Sequence, residues 1–124
     1  MTLIPADKAP RFEIPNAVFT GLASPSRGAR ETAVWRVILA PGATPMVHQL
    51  TREEVFVAIS GTAQATLAGK LMELSAGSAL IVPPDTDFSL ANSGPEPFEA
   101  VAMLPVGGMA RMGGDAPFTP PWAA

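Results

Sequence analysis

The 124 residues contain no cysteine. Thiol nucleophiles, disulfides and thiolate metal sites are therefore excluded, and the redox compartment is left open. There is one histidine, His48, so no second imidazole is available to any site. Charge is sparse: eight basic against eleven acidic residues, a net −3. The basic residues are scattered and form neither the patch that nucleic acid requires nor one suited to an anionic membrane surface. No apolar run approaches the roughly 18 residues of a membrane-spanning helix. The N-terminal MTLIPADKAP lacks the apolar core of a secretion signal, which predicts a cytoplasmic protein. No segment of ten residues carries a convincing helical pattern.

Apolar residues make up 48% of the chain, enough for one domain with one core. Fourteen prolines and eleven glycines punctuate the apolar segments instead of forming a tract. Short runs at a spacing of about 8–12 residues predict an all-β barrel or sandwich. Strands are expected over Arg11–Ile14, Val18–Leu22, Thr32–Ala40, Glu54–Ile59, Ala63–Leu67, Lys70–Leu74, Ala79–Val82, Phe88–Ala91 and Phe98–Leu104. Ala68-Gly69 is a hairpin turn in which the glycine supplies a positive φ. Residues 1–30 read as an N-terminal arm with short strands, 31–105 as the barrel core, and 106–124 as a Gly/Pro-rich tail. The tail's Phe118 and Trp122 predict packing on the chain's own barrel or on a partner subunit.

The stretch from Gly42 to Gly61 holds the only constellation that can carry chemistry. His48 is followed six residues later by Glu54, which opens an apolar run. The spacing Gly42, His48, Leu50, Glu54, Gly61, and then Gly77, Pro83, Asp85, Phe88, Asn92, resembles the two motifs of the cupin family. Seven of the ten signature positions agree; Leu50, Asp85 and Phe88 depart. The resemblance implies a single-domain, all-β cupin-type fold, a double-stranded β-helix or jelly-roll barrel. By carry-over, the four metal-ligand positions of the family are His48, Leu50, Glu54 and Phe88. Two of these are hydrophobic, whereas a functional site for iron, manganese, nickel or zinc normally has three or more protein ligands. The expectation is no cofactor, with loose metal binding by His48 and Glu54 as the remaining alternative.

Strand alternation within such a barrel puts Glu54 and Phe56 on the inner face with His48 and Leu50. Phe88 and Leu90 face them, and Met46 lines the mouth. Either Trp35 or Arg36 looks inward from the preceding strand. This describes an apolar small-molecule pocket with one polar pair. His48 is then either a general acid or base, oriented by Glu54, or a structural residue hydrogen-bonded to Glu54. A nearby carboxylate favours the imidazolium and burial opposes it. Three functions follow, in this order: a small-molecule-binding cupin, a metal-independent isomerase, lyase or cyclase using His48 and Glu54, and a metal-dependent dioxygenase or isomerase. The family resemblance also implies a homodimer, with Arg11–Leu22 as the pairing segment.

Overall fold

The computed structural model describes residues 1–124 in full. Eleven strands carry the fold: β1 (Arg11–Ile14), β2 (Ala17–Ala23), β3 (Thr32–Leu39), β4 (Gln49–Leu50), β5 (Glu54–Ser60), β6 (Thr62–Leu67), β7 (Lys70–Ser75), β8 (Ala79–Val82), β9 (Phe88–Ala91), β10 (Phe98–Pro105) and β11 (Ala110–Arg111). The only helical pieces are single 3-10 turns at Ala6–Lys8, Pro25–Arg27 and Pro121–Ala123. Glycines at 61, 69 and 77 and prolines elsewhere break the apolar runs and leave little length for an α-helix.

One antiparallel sheet has the order β1-β2-β3-β10-β5-β8. The facing sheet has β7-β6-β9. A reciprocal backbone bridge between His48 and Phe88 extends it to β4, which pairs with β11. A further bridge joins Ala110 to Phe118. The two sheets close over one core, a jelly-roll barrel.

The register sets which side chains meet inside. Gly21, Trp35, Ala102, Phe56 and Leu80 form one row across β2, β3, β10, β5 and β8. Gly21 and Ala102 flank Trp35 along it and leave room for the indole ring. Trp35 is 2% exposed, whereas Arg36 points outward towards Glu99 at 3.6 Å. That resolves the phase of β3. Its sequence, TAVWRVIL, is apolar on nearly every residue and carries little alternation of its own.

The ends of the chain belong to the same body. β2 pairs with β3 inside the main sheet, and β1 forms its free edge. In the tail, Trp122 stacks on Phe19 with ring centroids 3.7 Å apart and meets Phe12 edge-on. The hydroxyls of Ser24 and Ser26 donate to the carbonyl oxygen of Ala124 at 2.6 and 2.7 Å. The aromatic tail therefore packs on its own barrel.

Candidate functional site

Glu54 is the first residue of β5 and pairs with Val82 of β8. Phe56 and Ala58 follow it on the inner face, and all three are buried. Glu54 is 3% exposed, and its Oε1 has no hydrogen-bond partner. Burial among apolar side chains penalises the carboxylate and pushes its pKa up to about 8. The side chain is thus a neutral carboxylic acid at neutral pH.

His48 lies at the mouth of the same barrel. Directly opposite residues in an antiparallel pair present their side chains to one face. His48 pairs with Phe88, which is 2% exposed, so the imidazole also turns inward. The two rings lie 4.3 Å apart, and the Phe88 ring continues to Phe56 at 5.8 Å. Nδ1 of His48 is 2.9 Å from the carbonyl oxygen of Met46. A carbonyl only accepts, so Nδ1 carries the proton and Nε2 presents its lone pair. Burial lowers the imidazole pKa and the bond to Met46 partly offsets this, so His48 is neutral.

One expectation needs correction. No hydrogen bond joins His48 to Glu54; the backbone of Met46 orients the imidazole instead. The ring's polar partner lies two residues back on its own segment. Burial is the largest influence at both groups, lowering the His48 pKa against the Met46 carbonyl and raising that of Glu54.

The remaining residues sort by depth. Leu50, Phe56, Phe88 and Trp35 are core members, and Leu90 packs against them half-buried. Leu50 and Phe88 fill interior volume. The side chain of Met46 is 57% exposed and stands outside the barrel. Two clefts, of about 200 and 260 Å³, lie away from this pair. One is lined by Glu53, Val55 and Met103 on the outer side of the main sheet. The other lies around Asn92 and Glu96.

Phe118 had not been assigned to the site. It pairs with Ala110, which pairs with the inward-facing Leu50, so its ring is on the mouth side of the sheet and 45% exposed. Only the pairing of the tail with β4 places it there; the lone signal in the chain is an aromatic residue in a Gly/Pro-rich tail. On the opposite side of β4, Arg111 donates to Gln49 at 3.1 Å and meets Asp85 at 3.4 Å, while Gln49 donates to Asp87 at 2.8 Å.

The donor set does not fit a transition metal. No group of three or more His, Cys, Asp or Glu side chains converges anywhere in the chain.

A jelly-roll barrel with a histidine and a glutamate at these positions defines the cupin class. The sequence profile of the cupin domain matches residues 35–104, more than half of the chain, and the protein belongs to the cupin family. No curated protein matches the sequence. Among solved structures, the polyketide cyclase RemF from Streptomyces resistomycificus is similar with a TM-score of 0.79 at 14% identity, over 94% of this chain and 87% of that one. A sugar phosphate isomerase from Silicibacter pomeroyi is similar with a TM-score of 0.73 at 14% identity, over 90% and 82%. KdgF from Halomonas sp. is similar with a TM-score of 0.72 at 18% identity, over 84% and 94%. At these identities the likeness is one of fold. No helix of the chain is long and apolar enough to cross a membrane.

Proposed function

We propose that this protein is a metal-free cupin that binds a small molecule at the barrel mouth, through His48 and Glu54. The observation that carries the reading is the state of Glu54: a buried carboxyl with one oxygen unpartnered. An unsatisfied buried polar group costs about 1–3 kcal/mol. A leucine at this position would remove that cost, so the carboxyl is a liability for stability unless something binds it. Glu54 is covered, so a ligand reaches it only when side chains at the mouth move aside, as in other gated sites. The expected effect of Glu54→Leu is a higher thermal midpoint together with loss of the stabilisation that ligands confer on the wild type. A wild type that no member of a broad metabolite panel stabilises overturns the reading.

A second reading, acid/base catalysis by the same pair, is favoured by the protonation states. The bond to Met46 leaves Nε2 of His48 as a base, while Glu54 holds a transferable proton. A neutral base and a neutral acid within one barrel suit enolisation next to a carbonyl, the chemistry of an isomerase, lyase or cyclase. Two of the similar structures are described as a cyclase and an isomerase. Proton transfer of this kind supplies roughly 10²–10⁴-fold. His48→Ala is expected to abolish turnover and keep the circular dichroism of the wild type; retained turnover removes His48 from the chemistry. The assembly that accompanies either reading is a cytoplasmic homodimer paired through the Arg11–Leu22 segment, whose β1 is one edge of the main sheet.

A further inference from the structure

The two sheets differ on their outer faces. In the facing sheet, β6 reads TAQATL, and its outward residues Thr62, Gln64 and Thr66 are polar, as a solvated face requires. In the main sheet, β5 reads EVFVAIS, and its outward residues are Val55, Val57 and Ile59. The neighbouring strands continue this apolar surface. Val34, Met103, Val55 and Ile81 form one outward row across β3, β10, β5 and β8, and Val101, Val57 and Ala79 lie in the next. Strands apolar on both sides are the pattern of strands buried on both sides. One copy of the chain covers only the inner side, and Ile81 is left 58% exposed.

Charge is confined to the margin of this face. Arg36 and Glu99 are paired with each other at 3.6 Å, and Glu31 and Glu53 flank the cleft at one end. Beyond β3, Thr20 of β2 and Arg11 and Glu13 of β1 end the apolar surface. An apolar centre within a charged rim is the anatomy of a protein interface. The acidic cleft and the net charge of −3 oppose an anionic membrane. Resting on the homodimer proposed above, we infer that its main contact is this outer face, packed against the same face of a second copy. A two-fold axis in the interface, running along the strands between β10 and β5, lays β10 of one copy on β5 of the other and β3 on β8. Apolar rows then meet apolar rows, with the two sheets aligned as in a sandwich about 10 Å apart. Arg36 keeps its own Glu99 and lies over a small residue, the partner's Ala79. Four strands about 4.8 Å apart and six residues rising about 3.3 Å each span roughly 19 by 20 Å, about 400 Å² in projection on each copy. The Arg11–Leu22 segment overhangs the free edge of the partner's β8, which enlarges the contact towards the about 600 Å² per copy at which specific interfaces begin.

The test is sedimentation velocity of the full chain over the micromolar range, with the wild type expected to be dimeric. Ile81→Glu and Val57→Glu each place a carboxylate in the apolar centre twice per dimer. Each is expected to weaken association at least about a hundredfold and yield monomers. Both side chains point outward, so the circular dichroism of the wild type is kept. Should Val57→Glu lose it, Ile81→Glu decides alone. Leu71→Glu is the control: Leu71 is 69% exposed on the facing sheet, and its replacement leaves the dimer intact. Dimers that persist in both face variants overturn the face and leave the homodimer to the Arg11–Leu22 segment. Equal dissociation of Leu71→Glu overturns the face as well, by showing a response to charge at any site. A wild type that stays monomeric overturns both the face and the homodimer, and leaves this surface to an unlike partner.

Discussion

Glu54 keeps its proton in the folded protein up to about pH 8, whereas the unfolded chain releases it near 4.5. Between those values the native state binds one proton more than the unfolded state. Stability contributed by this group therefore falls as pH rises, by about 1.4 kcal/mol per unit at most. His48 acts with the opposite sign. Its folded pKa lies below the usual 6.5, so its contribution is present above 6.5 and is lost as pH falls below it. The two slopes oppose each other on the acid side, and only Glu54 acts between 6.5 and 8. Urea unfolding across that window is expected to show declining stability in the wild type and a flat profile in Glu54→Gln. Equal slopes in the two proteins would place the pH dependence elsewhere. The positions of both residues were legible in the motif spacing; their protonation states were not. Charge state depends on what surrounds a group in space, and β8 and β10 come to β5 from distant parts of the chain. Asn92 teaches the same lesson. Its motif position suggests a turn residue, yet its amide donates to the carbonyls of Leu39 and Glu96 and accepts from the Gly94 N–H, with no surface exposed.

Strands and turns were the most readable level, because each is declared locally by an apolar run and its punctuation. Arg11–Ile14, Ala79–Val82 and Phe88–Ala91 have the bounds that their composition predicts. β4 and β11 were missed. They are two residues each, stable only through one another and the bridges beside them, so neither segment announces itself. The hairpin between β6 and β7 carries one local conflict. Both central residues have positive φ, 49° at Ala68 and 80° at Gly69. Such a turn favours Asn-Gly, and a left-handed alanine costs about 1–2 kcal/mol. Ala68 is exposed, and its N–H donates to Asp87 whatever side chain it carries. Ala68→Asn is therefore expected to stabilise the protein by about 0.5–1 kcal/mol in chemical denaturation. Gly61 is the contrasting case: its φ is 75°, and a Cβ would collide with the carbonyl oxygen of Pro97. The motif glycine at that position answers to both demands.

At the scale of the molecule, the barrel was foreseen and its closure was not. The tail returns past the mouth as β11 and ends against the outer strands, where Trp122 lies flat on Phe19. No local pattern links residues 19 and 122; only the completed sheet brings them together. Trp122→Ala removes the stack and the edge contact with Phe12. The expected cost is about 2–3 kcal/mol, below the range for a fully buried tryptophan because the ring is half-exposed. Thermal unfolding should register it, and an unchanged midpoint would show the tail to be an appendage.

The strand order also dictates when the protein can come into being. β10 is the central partner of both β3 and β5, yet it spans residues 98–105, after all but one of the other strands. Until it leaves the ribosome, β3 and β5 each present an open edge rich in Val, Ile and Phe. Such edges invite pairing with other chains. Assembly of the main sheet must wait until residues 98–105 have been made, and the loops then to be closed are long. A slow, late folding step, with a window of vulnerability to aggregation before it, follows from the position of that one strand.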